Sequence, residues 1–572
     1  MEQLLRNAEE GAFTEVPGSI QSLVLARMDR LEPLDKRALQ AASVVGQRFT
    51  PDVLRHLIED PAYRCDELIE HRLIRPEAAG YLFAHALIRE GAYSSLLHAR
   101  KRELHGRAAG WFADHDLGLW AEHLDRAEDE QAPSAYMEAA EAQVRIYHFD
   151  QALKLTERGL VLARAGSDKF ALTCLKGRIL HDLGAISESV ETYRTALDLA
   201  ADDAERSRAW YGLAAGMRLT DELDRALEAL DQAEAGAAKH GLILALSQIH
   251  HLRGNLYFPM GNMEGCLEQH SRALECARQA ASPEDEALGG LADAMYARGR
   301  MRASHGYFQD CSGLCREHGF GRIEVANLSM LGLTRYYLGD LQGAWQDTLA
   351  AAEAAARVGH FRAEMVACLA LHYPAMEKGD YALNEQMIER SLELIDRLGA
   401  KRFEADCLNF RARNHTAQGR GAEATELLQK AVAISRETGI TYCGPRVLGH
   451  LALTTGDPTE REEAIRDGLA ILRSGAVAHN HFWFYRDVME AMLNLGRWGD
   501  ADAYAQALEE FTRPERLPWT DFFIGRARAL AAFGRGTRDA AILGELRRLR
   551  EDGERMGLLT SLRALDEALG TT

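Results

Sequence analysis

Cys311 and Cys315 lie one helical turn apart, with His305 and His318 close by. Thiolates and imidazoles at such spacing are metal-ligand types, so metal ligation is the first chemistry to weigh. The run LLHARKRELHGR is the second candidate, with Arg100, Lys101, Arg102 and Arg107 set against Glu103 alone. On a helix such a patch can contact nucleic-acid phosphates; it also suits a solvated face or a contact with an acidic protein surface. No GxxxxGK[ST] phosphate loop occurs, so the backbone cradle and Lys that hold nucleotide phosphates are missing. No Ser/His/Asp or Cys/His pattern for nucleophilic catalysis stands out. The chain is therefore expected to be non-enzymatic, with no catalytic residue, metal or cofactor.

The elements that position the cysteines come from a repeat. A turn residue, usually Gly, is followed five positions on by a small residue, nine on by a larger one and twelve on by another small one. The turn residues are Tyr147, Gly184, Asp221, Gly261, Gly299, Gly339, Gly379, Gly419, Gly456, Gly496 and Gly534, separated by 37 to 40 residues. Ser189, Ala226, Cys266 and Ala344 fill the five-on slot; Ala196, Ala233, Cys311 and Ala431 fill the twelve-on slot. Seven residues before the turn, Gly177, Gly254, Gly332 and Ala412 supply the matching small contact. Small side chains there let two antiparallel helices approach closely, so each unit reads as helix, turn, helix. This register also disposes of the metal: Cys311 sits where other repeats hold Ala or Ser, and its size explains it.

This spacing resembles the tetratricopeptide repeat, stretched from its usual length of about 34 residues to about 39. The poorer matches GDPTEREEAI and GRGTRDAAI follow Gly456 and Gly534 and blur those boundaries. One helix pair cannot bury its apolar stripe alone, so about eleven units over residues 147–572 must stack into a superhelical solenoid. The resemblance implies that the first helix of each pair lines the concave face, with inward positions ten, six and three residues before the turn. Those positions give Arg178, His181, Tyr211, Arg218, His251, Asn255, Phe258, Asp293, Tyr296, Tyr336, Tyr373, Asn409 and Arg413. Aromatic, Arg and Asn side chains offer contact area with directional hydrogen bonds, which suits a peptide or small effector. The same residues suit a solvated groove with partly buried aromatics. A second aromatic cluster, HNHFWFY at 479–485 with Trp498, Trp519, Phe522 and Phe523, reads as core or cap.

Composition agrees with a helical array. At 572 residues the chain exceeds what one core supports; it carries only 13 prolines, 47% apolar and 27% charged residues. A formal charge of -19 argues against general nucleic-acid binding. Nine cysteines without paired spacing fit reduced thiols, hence a cytoplasmic setting. No signal peptide or membrane-spanning stretch is evident.

Residues 19–113 depart from the repeat. Three apolar-periodic segments, SIQSLVLARMDRL, LDKRALQAASVV and TPDVLRHLIED, precede a short helix, CDELIEHRLI. RLIRPEAAGYLFAH then reads as a two-stranded hairpin, and LIREGAYSSLLHARKRELHGRAAGWF as one long helix. Together these make a winged-helix-like domain, followed by transitional helices over 114–146. The runs VPGSIQSLVLARMDRLEPLDKRALQAASVVGQRF and FAHALIREGAYSSLL resemble the region after the ATPase domain in bacterial signal-transduction ATPases with numerous domains (STAND). Relatives of that plan carry class III nucleotide cyclase or transcriptional-activator parts. No cyclase aspartate pair occurs here, and no helix-turn-helix follows residue 540.

The resemblance implies a regulatory role: the solenoid binds a protein, peptide or small effector and signals to an ATPase domain in cis or trans. It also implies that His85, with Arg89 one turn on, donates to the terminal phosphate of ADP bound there. A structural histidine capping the last helix is the alternative. Residues 1–18 look like the end of an ATPase lid, so the chain is expected to be either part of such an ATPase or a stand-alone adaptor.

Overall fold

The structure, a computed structural model, describes residues 24–164 and 166–570. The expected lid segment and the first residues of the expected helical domain lie outside the described residues. Two compact units divide between Ile179 and Leu180, inside the helix Ser167–Asp182.

In the first unit, helix Pro33–Val45 leads into strand Arg48–Phe49 (β1), helices Pro51–Ile58 and Asp66–Glu70 follow, and Ile74–Glu77 (β2) and Gly80–Phe83 (β3) complete a small antiparallel sheet. The strand order is β1-β3-β2. The hairpin of β2 and β3 follows from the alternating sequence; β1 was not expected, because two residues carry no period. It is held by Phe49 opposite Tyr81 and by an Arg48–Glu77 ion pair of 2.8 Å across the sheet. Gly80 is required: a Cβ there would lie 2.4 Å from the Phe49 carbonyl oxygen. Met28, Leu39, Leu57, Leu68, Phe83 and Leu104 form the core.

The single long helix expected from residue 87 to 112 is in fact two, Ala86–Ser94 and His98–Phe112. Ser94 and Ser95 turn their hydroxyls back onto the Gly91 and Ala92 carbonyls, and Leu97 is extended. Serine hydroxyls that compete for helical carbonyls favour such a break.

In the second unit, antiparallel helices of mostly 14–18 residues alternate with short turns. The expected packing is present. Gly254 faces His270, and a Cβ on Gly254 would lie 2.5 Å from the ring; Gly332 faces Thr348 at 2.6 Å. These are the seven-before and nine-on positions of the register. Of the turn residues, nine have φ between 62° and 84°, including the non-glycines Tyr147 and Asp221. The two weak repeats differ. The left-handed turn expected at Gly534 falls on Gly536, and Gly534 ends its helix packed against the Trp498 ring.

A second glycine series was not expected. Gly319, Gly359, Gly399 and Gly439 all have positive φ and end the second helix of each pair, 20 residues after each turn glycine. Left-handed glycine is the common helix stop. The added length relative to a 34-residue repeat therefore lies in the helices, as in Leu341–Arg357 and Phe361–Glu377, 17 residues each.

The solenoid winds tightly enough that successive superhelical turns touch. Arg397 donates to the Leu183 carbonyl at 2.9 Å, Thr441 Oγ1 to the Pro259 carbonyl at 2.8 Å, and Thr560 Oγ1 to Glu377 at 2.6 Å, across 182 to 214 residues of chain. Turn glycines are the contact points: a Cβ on Gly261 would lie 2.6 Å from the Gly475 carbonyl oxygen.

Candidate functional site

This closure converts the expected open groove into two interior regions. Toward the C-terminal end the interior is filled by Tyr336, Tyr337, Phe410, Phe482, Trp483 and Trp519, all buried. Trp483 Nε1 donates to Tyr337 Oη at 3.0 Å, and Arg413 pairs with Asp487 at 2.6 Å beneath the Trp483 ring. Tyr336, Asn409 and Arg413 therefore belong to packed core rather than to a groove: Trp483 and Trp519 pack on the Tyr336 ring, His450 hydrogen-bonds Asn409 Oδ1 at 3.0 Å, and Asp487 takes Arg413. The aromatic cluster is correspondingly core, with His479, Phe482, Trp483, Phe484 and Trp519 buried.

Toward the start of the second unit the interior stays open as a cavity of about 420 Å³. His181, Arg218, His251, Asn255, Phe258, Asp293, Tyr296 and Tyr373 line it, so eight of the thirteen groove positions converge. Tyr211 is not among the lining residues. Arg178 is exposed, 4.0 Å from Glu141 in the first unit.

The far side of the superhelix adds four further arginines to the lining, Arg322, Arg362, Arg402 and Arg446. Three of them recur every 40 residues in GFGR, GHFR and GAKR, each three residues after a helix-ending glycine. This periodic Gly-x-x-Arg was the available signal. The first rung, Arg322, pairs with Asp182 at 2.9 Å, and the third, Arg402, pairs with Asp221 and lies over the Phe403 ring. Arg446 pairs with Asp406 and donates to Tyr373 Oη.

The middle rung, Arg362, and Arg218 opposite have no ion-pair partner within 4 Å among the described residues, and the Nε of each is buried without a hydrogen bond. Burial, then the neighbouring Arg362 and Arg402, push the Arg218 guanidinium well below its ordinary value. Arg362 shifts the same way, through burial and Arg402. Asp293 faces both, yet burial outweighs their attraction and raises its carboxyl to about 6. Burial likewise holds His181 and His251 down to about 4 and His360 to about 3, with the nearby arginines adding to it, so all three are neutral near pH 7.

Comparison with known proteins fixes the fold type. The tetratricopeptide-repeat family model matches residues 173–203. The solenoid is of the tetratricopeptide type. Among solved structures the chain is similar to a Signal Transduction ATPase with Numerous Domains protein with a tetratricopeptide repeat sensor from Pyrococcus horikoshii. The identity is 15% over 76% of this chain and 67% of that one, with a TM-score of 0.50. It is also similar to the APC/C hetero-tetramer Cut9-Hcn1, at 13% identity over 81% of this chain and 90% of that one, with a TM-score of 0.52. At these identities the likeness shows the fold alone. No curated protein matches in sequence.

In the first unit His85 is exposed at the start of the helix Ala86–Ser94, and its side chain makes no capping hydrogen bond. Arg89 turns inward instead, donating to the Ser43 carbonyl at 3.0 Å and pairing with Glu90. The basic run is largely engaged: Arg100 and Arg107 pair with Glu103, Arg102 with Glu128, and Lys101 lies over the Tyr93 ring. Cys311 and Cys315 are buried together against Leu288. No group of His, Cys, Asp and Glu among the described residues is arranged to hold a metal, and none of the described helices is long and apolar enough to cross a membrane.

Proposed function

We propose that this chain is a non-catalytic sensor and regulatory scaffold that binds a small effector or short peptide inside the superhelix. The observation that carries the reading is the cavity between successive superhelical turns, lined from one side by Arg218 and His251 and from the other by Arg362, Arg402 and Tyr442. An occupant there touches residues 111 to 224 apart in sequence, so its binding energy bears directly on how tightly the solenoid closes. Enclosed, partly apolar cavities with a few convergent polar groups are the usual form of a small-ligand site.

The wider context is the regulatory part of a signal-transduction ATPase. Support comes from the solved STAND protein, whose tetratricopeptide repeats are described as a sensor. Helices around the β1-β3-β2 sheet support reading residues 19–113 as a winged-helix-like domain. A stand-alone adaptor for a protein partner is the second reading; the Cut9-Hcn1 assembly shows this fold within a protein complex. DNA binding has less support, since Glu103 and Glu128 occupy most of the basic run.

The test is a thermal-unfolding screen of the full chain against organic acids, phosphate esters, amino acids, sugars and short peptides. One class is expected to raise the Tm of wild type and to lose its effect on Val366→Trp, which fills the cavity. A response that survives Val366→Trp, or no response at all, contradicts an effector site there.

A further inference from the structure

We infer that Arg218 and Arg362 form a preformed oxyanion site, so that the effector is a small acid carrying a phosphate or carboxylate group. The inference rests on the interior-cavity reading and names the chemistry of its occupant.

Three observations lead to it. The first is the ladder. Arg322, Arg362 and Arg402 occupy one register position at 40-residue intervals, at the starts of successive first helices. The outer rungs are each neutralised by an acidic residue from the preceding superhelical turn, Asp182 and Asp221. The middle rung has no such acid. Two guanidiniums turned into one cavity with no carboxylate paired to either repel each other, and a bound anion relieves that repulsion by completing the pair.

The second is the opposing cation. Arg218 reaches the same cavity from the helix Asp203–Leu219, and its backbone carbonyl accepts from Arg402 at 3.1 Å, which fixes that segment. Its Nε is buried without a partner, as are those of Arg362, Arg402 and Arg446, but Arg218 and Arg362 differ from the other two in having no ion pair among the described residues. Two guanidiniums offer a planar fork of donors each, the geometry that suits carboxylate and phosphate oxygens.

The third is the rest of the wall. Phe258, Tyr296, Met330, Leu333 and Leu369 give an apolar side against which the body of an acid can rest. Asp293 faces both arginines, so it competes with a bound anion and accepts from any donor the ligand carries.

The test uses the full chain in chloride buffer at constant ionic strength, titrated with inorganic phosphate, phenyl phosphate, benzoate and neutral benzyl alcohol. Saturable binding of phenyl phosphate or benzoate is expected, the tighter of the two telling phosphate from carboxylate. Arg218→Gln and Arg362→Gln should each weaken it at least tenfold, and Asp293→Asn should tighten it several-fold. Arg362→Met should raise the Tm in phosphate-free buffer while abolishing the anion response, a gain that a merely structural arginine would not give. Equal binding by wild type and the Gln variants, or weaker binding by Asp293→Asn, overturns the assignment. If only benzyl alcohol raises the Tm, and Val366→Trp removes that effect, the anion site is wrong and the cavity reading stands. If no probe distinguishes wild type from Val366→Trp, both fall.

Discussion

Arg402 and Asp221 are both nearly inaccessible to solvent, and Arg402 also receives the Phe403 ring beneath its guanidinium. Removing one partner of a buried pair strands the other charge, which typically costs about 3–5 kcal/mol. Asp221→Ala is therefore expected to lower stability by about that much in chemical denaturation, whereas the double variant Asp221→Leu/Arg402→Met should recover most of the loss. Gly332 makes a second residue-scale case. A Cβ there would lie 2.6 Å from Thr348 Cγ2 and 3.1 Å from the Ala344 carbonyl oxygen, so Gly332→Ala should cost about 1–3 kcal/mol by overpacking. That contact was legible in the sequence, because small and large residues at fixed offsets from a turn are a local signal. The arginine ladder was not. Its rungs sit at helix starts, seventeen residues before the turn, where a solenoid read one repeat at a time places them at the rim. They become interior only when Arg322 meets Asp182 and Arg402 meets Asp221 across 140 and 181 residues.

The turn is the element on which closure depends. Gly261 and Gly419 share a register position and the same φ of 76°, so alanine at either carries the same left-handed backbone penalty, about 1 kcal/mol. They differ in surroundings: Gly261 meets the Gly475 backbone of the next superhelical turn, and Gly419 has nothing within 4 Å. Gly261→Ala is expected to destabilise the chain clearly more than Gly419→Ala, and the difference, read in parallel denaturation curves, reports the inter-turn contact alone. Equal effects would mean that the turns do not touch in solution. Periodicity fixed the helix–turn–helix units and most turn positions because glycine and apolar spacing act within one repeat. It missed the breaks at Ser94–Leu97 and Gly536, which hydroxyl competition and tertiary packing decide. It also placed Tyr336, Asn409 and Arg413 in a groove, since a count of inward positions cannot tell a lined cavity from a filled core.

For the whole molecule, the buried histidines set the response to acid. His123, His181, His251 and His372 are held near 4 and His105 and His360 near 3, chiefly by burial. Unfolding restores their ordinary value of 6.5, so the unfolded chain binds more protons. Stability is expected to be fully present above pH 6.5 and to fall as pH drops toward 4, by on the order of 1–2 kcal/mol per histidine at pH 5. Asp293, raised to about 6 from 3.8, acts in the opposite sense: its share is present below 3.8 and lost as pH rises through 6. The histidines outnumber it, and a Tm that falls steadily between pH 7 and pH 5 is the expected record.

The placement of the effector inside the superhelix is tested most directly by amide hydrogen exchange on the full chain, with and without phenyl phosphate at a concentration that raises the Tm. Slowed exchange is expected at the segments where successive turns meet around the cavity, residues 181–185, 218–222, 258–262, 397–403 and 440–446. Slowing confined to the outer helices, or no change in those segments, would contradict an interior site.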